Sequence, residues 1–180
     1  MKTYVFLANG FEEVEALTAV DILRRGGVEV VMVSMQGTRE AVGSHGINVK
    51  TDASFAECSF DDADALVIPG GMPGTRTLDA HEGLRAAYLK QFKAGKIVAA
   101  ICAAPSVLGH LGILEGRKAV CYPGFEEELE GATVLCESAV VDGNVITGRS
   151  MGAATDFALA LLKELCGKEA ADKVEKGLYR

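Results

Sequence analysis

The sequence has no tryptophan, only 4 prolines, and 5 cysteines that are scattered along the chain. The cysteines are Cys58, Cys102, Cys121, Cys136 and Cys166, and no two of them have the C-x-x-C spacing of zinc sites and redox motifs. An odd number of unclustered cysteines argues against a disulfide framework and against structural zinc. We therefore expect a reducing compartment and predict a cytoplasmic location.

Basic residues are also in deficit, because 18 Lys and Arg stand against 25 Asp and Glu and leave a net charge of −7. The sequence contains no cluster of Lys or Arg that could cover a phosphate backbone. We therefore predict that nucleic acid is not a partner.

Long apolar runs are absent as well. The first apolar run, Tyr4–Ala8, is too short for the ~7–15-residue core of a signal peptide, and the acidic residues Glu12, Glu13 and Glu15 follow it closely. Residues 97–114 lack formal charge over eighteen positions, close to the ~18-residue threshold for a membrane span. Pro105, Gly109 and Gly112 interrupt this stretch. It is typical of a buried strand followed by a helix, and we predict no membrane partner.

Histidine is scarce, and no histidine follows position 110. The three are His45, His81 and His110. We expect His81 to be solvated at the start of a surface helix, and His110 to point away from the preceding Cys102 or to be packed. The sequence therefore offers little support for a catalytic Cys–His pair.

The composition that remains is that of an ordinary globular protein, with 49% hydrophobic and 24% charged residues among 180. Dividing this length by ~150 residues per domain predicts one domain, spanning residues 1–180. The sequence shows no internal repeat, linker or low-complexity segment.

Hydrophobic periodicity alternates between strand and helix along the chain. Buried strands are predicted at residues 3–8, 29–34, 65–69 and 96–101, and helices at 12–25, 84–94 and 103–111. A polar, glycine-rich excursion or hairpin is expected over residues 36–52. Short strands follow at 119–121, 133–136, 139–141 and 145–147, with an acidic turn or helix at 125–130. A long helix over 152–165 and a polar C-terminal helix complete an α/β domain of three layers.

Cys102 is the strongest candidate for a reactive residue. It follows the predicted strand 96–101 and precedes a helix, and in parallel α/β sheets ligands bind at the carboxyl ends of strands. Small neighbours permit a sharp turn, and a helix N-terminus is expected to lower the pKa of the thiol. The alternative is that Cys102 is a small buried hydrophobic residue.

Two other groups lie at the same predicted sheet edge. Glu12 and Glu13 are expected to project into solvent from the first turn of a helix. Glu15 lies further into that helix, where an apolar surrounding would favour its protonated form and let it donate to a thiolate. The pair Gly70-Gly71 is either a tight turn or a source of backbone N–H groups for an oxyanion.

These residues occur in segments that resemble the ThiJ/PfpI superfamily, in the branch of the Parkinson-disease protein deglycase (the DJ-one family). Residues 8–15 (ANGFEEVE) resemble the family's G-x-E-E-x-E, residues 67–71 (VIPGG) its (L/I)-P-G-G, and residues 100–105 (AICAAP) its A-I-C-A-G-P. Residues 146–149 (ITGR) and 155–159 (TDFAL) resemble its (L/I)-T-S-R and E-F-A-L segments. The matches occur in order over essentially the whole chain.

The resemblance implies a flavodoxin-like three-layer α/β/α sandwich with a mostly parallel central sheet, and a homodimer. It implies that Cys102 is the nucleophile and that Glu15 is its hydrogen-bond partner and acid/base. Further residues implied at the anion pocket, the pocket wall or the dimer interface are Gly71, Ala103, Gly70, His45 and Arg25. The sequence departs from the family at three positions: Ala104 replaces a glycine, Tyr122 stands where some relatives have a pocket histidine, and Met151 replaces a proline.

Two classes of function fit these residues. The first is a glyoxalase- or deglycase-type enzyme that acts on small 2-oxoaldehydes or on glycated protein, without a metal or an organic cofactor. The second is a redox sensor or chaperone in which Cys102 is oxidised without turnover. A peptidase of the archaeal type is a weaker alternative, because Ala103 stands where that branch has a histidine after its cysteine.

Overall fold

The computed structural model describes residues 1–179, so Arg180, the last residue of the predicted domain, lies outside the described part. The strands are β1 (Lys2–Leu7), β2 (Glu29–Ser34), β3 (Glu40–Val42), β4 (Asn48–Lys50), β5 (Ala53–Ser54), β6 (Ala65–Ile68), β7 (Ile97–Ile101), β8 (Lys118–Ala119), β9 (Thr133–Val134), β10 (Ala139–Asp142) and β11 (Val145–Gly148). The α-helices are α1 (Glu13–Arg25), α2 (Gly74–Ala80), α3 (Glu82–Lys93), α4 (Pro105–His110), α5 (Ala154–Cys166) and α6 (Lys168–Gly177).

A seven-stranded sheet forms the centre, in the order β10-β11-β7-β6-β1-β2-β5. All neighbours in it are parallel except β10 and β11, which form an antiparallel hairpin. The chain builds outward from β1 toward β2 and β5, then returns to the other side of β1 with β6. The carboxyl ends of β1, β6 and β7 therefore meet at the point where the strand order reverses, which is where open α/β sheets bind ligands.

Helices cover both faces of this sheet, as expected of parallel strands that are apolar along their whole length. One core cluster joins the sheet to α1, α5 and α6, with Phe157 and Leu162 fully buried. The other joins it to α2, α3 and α4, with Leu78 and Tyr88 fully buried. The predicted three-layer α/β sandwich with a mostly parallel sheet is confirmed.

Two small sheets lie outside the central one. The antiparallel pair β3–β4 is the hairpin expected within residues 36–52. The parallel pair β8–β9 is shorter than the strands predicted at 119–121 and 133–136, because it ends at Ala119 and Val134.

The sequence prediction missed α2 and β5. Helix α2 has one fully buried apolar side chain, Leu78, so seven residues give no apolar period to recognise. The helix expected at 103–111 is α4, which begins only at Pro105. Residues 97–114 form β7 and α4 with connecting turns, as predicted. Within residues 1–179, no helix combines the length and apolar character needed to cross a bilayer.

Candidate active site

Cys102 lies in the turn between β7 and α4 with a left-handed backbone. Its φ of 67° is a conformation that residues other than glycine rarely adopt. Two hydrogen bonds hold this backbone: its N–H donates to the carbonyl of Gly148 (2.9 Å), and its carbonyl accepts from the N–H of Tyr122 (2.8 Å). The turn therefore presents the half-buried Cys102 thiol at the carboxyl end of β7 in a fixed direction.

Gly70 allows the thiol and the Glu15 carboxyl to approach each other. A Cβ at Gly70 would lie 2.5 Å from Cys102 Cβ, 2.9 Å from Cys102 Sγ and 2.8 Å from Glu15 Oε2. The Gly70 N–H donates to Glu15 Oε2 at 2.9 Å. Gly70 is thus in close contact with both groups, and any larger residue would overlap them.

Glu15 is 1% exposed, although carboxyl groups are rarely buried. Burial raises the pKa of Glu15 from 4.5 to about 7, against the opposing effects of Cys102 and of the Gly70 N–H. Its second oxygen, Oε1, is buried without a hydrogen-bond partner among the described residues. A carboxyl in this setting can take up or release a proton near neutral pH.

The pKa of the Cys102 thiol shifts in the direction opposite to our prediction. Burial, together with the neighbouring Glu15 carboxylate, raises the pKa of Cys102 to about 12. The backbone N–H groups of Ala103 and Gly71 act on the same sulfur and lower the pKa, but their effect is smaller. The predicted lowering by a helix N-terminus is wrong, because a buried carboxylate and desolvation outweigh the backbone donors.

Gly71 has a φ of 90°, which turns its N–H toward the Cys102 sulfur. A Cβ at this position would lie 2.4 Å from the Glu12 nitrogen, so only glycine fits between the two loops. The structure thus brings Glu15, Gly70, Gly71, Cys102 and Ala103 together, as the sequence motifs suggested. Tyr122, half-exposed, contacts this group through its backbone.

Glu12 and Glu13 are buried, at 9% and 3% exposure, so the expectation that they project into solvent is wrong. Glu12 caps α1 by accepting the Glu15 N–H at 2.6 Å. The spacing of three residues between a carboxylate and the amide that it caps was the available sequence signal. For Glu13 there was no local signal, because its partners lie more than thirty residues away.

Glu13 holds the loop that contains His45. The His45 N–H donates to Glu13 Oε1 (2.7 Å), and the His45 ring contacts Oε2 (2.9 Å). Burial alone raises the pKa of Glu13, but the hydrogen bonds from His45 and Ser44 outweigh it and lower the pKa to about 2. The same carboxylate raises the pKa of the exposed His45 ring.

In the described part of the chain, the two predicted interface residues contact acidic side chains of α1. His45 contacts Glu13, and Arg25 forms an ion pair with Asp21 on α1 (2.6 Å). Arg25 lies ten residues after Glu15 on the same helix, about 15 Å along its axis.

Of the other two histidines, His81 is not freely solvated as expected. It caps α3 by accepting the Leu84 N–H (3.1 Å) and packs against Phe55. His110 is packed, as expected, with its ring against Asp79 (2.9 Å). His110 and Asp79 line a cavity of about 200 Å³, together with Met72 and Ser106.

One group of side chains in residues 1–179 has the spacing of metal ligands: Glu12, Glu13 and His45, whose donor atoms lie within 4.8 Å of one another. Glu12 already accepts the Glu15 N–H, and Glu13 accepts from His45 and Ser44. A cation here would also face the positive end of α1. We therefore interpret Glu12 as a helix cap and Glu13 as the hydrogen-bond acceptor of the loop, and not as the ligands of a metal centre.

The model of the DJ-1/PfpI family matches residues 1–164. Deglycase PfpI of Pyrococcus furiosus is 37% identical over 154 residues, which cover 84% of this chain and 92% of that protein. Protein DJ-1 homolog B of Arabidopsis thaliana is 37% identical over 175 residues, and this chain spans 40% of its length.

The fold gives the same result. The structure of oxidized DJ-1 from Toxoplasma gondii superposes with a TM-score of 0.95 at 36% identity, covering 99% of this chain and 97% of that one. The family match, the relatives and the superposition all extend over most of the chain, so the chain belongs to the DJ-1/PfpI family.

Proposed function

We propose that the protein is a cofactor-independent enzyme of glyoxalase or deglycase type, acting on small 2-oxoaldehydes or on their adducts with protein. The observation that carries this proposal is the convergence of a thiol, a buried carboxyl and two backbone N–H groups around Gly70. The name of the Pyrococcus furiosus relative, a deglycase, supports the same class of substrate.

The first step is addition of Cys102 to the aldehyde carbon. The Glu15 carboxylate takes the thiol proton as the Sγ–C bond forms, and the carbonyl electron pair moves to oxygen. The N–H groups of Gly71 and Ala103 stabilise that oxygen until Glu15 passes the thiol proton to it, which gives a hemithioacetal and restores the Glu15 carboxylate. The raised pKa values of Glu15 and Cys102 are consistent with this step, because a thiol that is protonated at neutral pH needs a nearby base to react.

Glu15 then moves the second proton. It takes the hydrogen from the former aldehyde carbon, the neighbouring ketone oxygen is protonated, and an enediol forms. Protonation of the neighbouring carbon gives the thioester of a 2-hydroxy acid. Water cleaves the S–C bond of this thioester, releasing the hydroxy acid and restoring the thiol. No external oxidant is needed, since one carbon is oxidised as its neighbour is reduced.

The test is to incubate the purified chain with methylglyoxal and to measure lactate. Cys102→Ala should abolish turnover, because no covalent adduct can form. Glu15→Gln should form the adduct only slowly and lose on the order of 10²–10⁴ in rate, because an amide cannot act as the base in either step. The exposed Cys166 supplies the matched control, and Cys166→Ala should keep the full rate.

A redox sensor or chaperone is the second candidate, favoured by the half-buried Cys102 thiol beside two N–H donors and by a solved relative described as oxidized. In that case Cys102 would be oxidised and its oxygens bound by the same N–H groups. If the wild-type chain with reduced Cys102 makes no lactate, the sensor replaces the enzyme.

We also propose a homodimer and a cytoplasmic location. Val14, Leu17 and Ile47 are between 38% and 53% exposed around a groove of about 540 Å³ along α1, and a second copy would cover them. All five cysteines are free thiols, which supports a reducing compartment.

A further inference from the structure

The two backbone N–H groups of the candidate site belong to loops that precede helices α2 and α4. They are the N–H groups of Gly71 and Ala103, and both act on the Cys102 sulfur. Neither residue is part of a helix, because α2 begins at Gly74 and α4 at Pro105. The direction of each N–H therefore depends on the hydrogen bonds of the peptide groups around it.

Both peptide groups around Gly71 are held. The peptide group that carries the Gly71 N–H also carries the Gly70 carbonyl, which points the opposite way because the peptide is trans. This carbonyl accepts the Glu12 N–H at 2.9 Å. The next carbonyl, that of Gly71, accepts both the backbone N–H and the side-chain hydroxyl of Thr75, each at 2.9 Å. Gly71 is thus fixed from both sides.

The same arrangement occurs at Ala103. The peptide group that carries its N–H also carries the Cys102 carbonyl, which accepts the Tyr122 N–H at 2.8 Å. The Ala103 carbonyl accepts the Ser106 N–H at 3.2 Å and the Ser106 hydroxyl at 2.7 Å. Each donor residue is therefore held by one N–H from another loop and by one hydroxyl from the first turn of the following helix.

The two hydroxyl-bearing side chains share one buried environment. Thr75 and Ser106 are each 3% exposed, and both line the same cavity of about 200 Å³. Their hydrogen bonds are shielded from water, which strengthens them. Thr77 lies on α2 as well and also contacts a carbonyl four residues earlier, that of Pro73, but it is exposed and its contact is longer, at 3.4 Å. Thr77 therefore provides a matched control.

We propose that Thr75 and Ser106 are positioning residues of the candidate active site. Their hydroxyls hold the Gly71 and Ala103 N–H groups in the direction of the Cys102 sulfur. In the proposed reaction, on which this part of the inference rests, the same N–H groups face the substrate oxygen. Backbone donors stabilise developing negative charge when they are held in the correct direction before the reaction. Loss of either hydroxyl should therefore weaken that stabilisation, although neither side chain touches the substrate.

The first test measures turnover of methylglyoxal by the full chain. Thr75→Val and Ser106→Ala remove one hydroxyl each with little change in size. Each should lower kcat by roughly 3–10-fold, the effect of about one hydrogen bond. The KM should stay nearly unchanged, because the donors act on charge that develops in the transition state. Thr75→Ser, which restores a hydroxyl, and Thr77→Val should keep the wild-type rate.

The second test is independent of turnover. Iodoacetamide alkylates the Cys102 thiolate, and peptide mass spectrometry follows this cysteine separately from the other four. Misdirected N–H groups stabilise the thiolate less, so alkylation should be slower in Thr75→Val and Ser106→Ala than in wild type. Local unfolding would have the opposite effect, because it exposes the thiol. A wild type that makes no lactate would refute the proposed enzyme, while the alkylation rates would still test the positioning of the donors.

Two results would overturn the inference. One is that Thr75→Val and Ser106→Ala match Thr77→Val in the rate of Cys102 alkylation. The other is faster alkylation together with a lower thermal midpoint, which would mean that the hydroxyls only stabilise the fold. Should Ser106→Ala fold poorly, Thr75→Val and its rescue by Thr75→Ser decide the question at Gly71.

Discussion

At the scale of single residues, the candidate site depends on two groups whose pKa values are raised by their surroundings. Glu15 is a carboxyl with a pKa near 7, and Cys102 is a thiol with a pKa near 12. Both shifts arise mainly from burial, which disfavours charge. At neutral pH the thiol is therefore protonated, and the neighbouring carboxyl is able to accept or release a proton.

Glu15 should make the stability of the protein depend on pH. Its pKa is raised from 4.5 to about 7 on folding, so its contribution is present below pH 4.5 and is lost as pH rises through 7. The difference corresponds to about 3 kcal/mol. Glu15→Gln cannot ionise, and guanidinium denaturation should show this variant gaining stability relative to wild type between pH 4.5 and 7. A constant difference between the two proteins over this range would contradict the burial argument.

Gly70 should tolerate no side chain. A Cβ there would meet Cys102 Cβ at 2.5 Å, so Gly70→Ala should displace the thiol or the Glu15 carboxyl and reduce turnover at least tenfold, a loss on the order of 1.4 kcal/mol in transition-state stabilisation. The matched control is Gly177→Ala, because a Cβ at Gly177 would meet no atom within 4 Å. Lactate formation from methylglyoxal measures both variants, and equal rates would show that the contact is not needed.

At the scale of elements, the N-terminus of α1 ties the site to the loop after β3. Glu12 caps the helix, and Glu13 accepts hydrogen bonds from Ser44 and His45. A Cβ at Gly43 would lie 2.2 Å from the Glu13 carboxyl carbon, so the loop is pressed directly against the helix. The first turn of α1 thus fixes the loop on one side and Glu15 on the other.

Glu13→Gln should destabilise the protein by about 1–3 kcal/mol at pH 7, because an amide nitrogen would face hydrogen-bond donors in a buried position. The expected reading is a lower denaturation midpoint at unchanged m-value. Glu82 occupies the first turn of α3 but is exposed, so Glu82→Gln should stay within about 0.5 kcal/mol of wild type. Equal effects of the two substitutions would show that the loop contact contributes nothing.

At the scale of the whole molecule, the exposed apolar surface along α1 is where the proposed homodimer would form. His45 and Arg25 lie at opposite ends of this helix, and Leu17 lies between them on the groove. A two-fold axis through this face would bring the apolar surface of one copy against the same surface of a second copy.

Leu17→Arg should therefore convert the protein to a monomer, because a desolvated charge would oppose the apolar contact. Light scattering should give about twice the 18.9 kDa chain mass for wild type and a single chain mass for the variant. Val141 is similarly exposed (42%) on edge strand β10, and Val141→Arg should remain a dimer. A monomeric wild type at micromolar concentration would refute the dimer.

Much of this architecture is determined by the sequence alone. Apolar runs of β-branched residues at 3–8, 29–34, 65–69 and 96–101, alternating with amphipathic segments, are sufficient to predict a parallel sheet with helices on both faces. The order of these runs also places Cys102, Gly70 and Glu15 near the carboxyl ends of strands, where a site belongs. These signals are local, so they can be detected without the fold.

Only the tertiary structure decided how these residues behave. The direction in which the pKa of Cys102 shifts depends on burial and on the Glu15 carboxyl, 87 positions away in sequence. The burial of Glu13 depends on a loop more than thirty residues downstream, and the contact of Arg149 with Cys136 joins the ends of separate strands. Desolvation and charge–charge interaction depend on distance in space, which residue pattern and spacing along the chain do not specify.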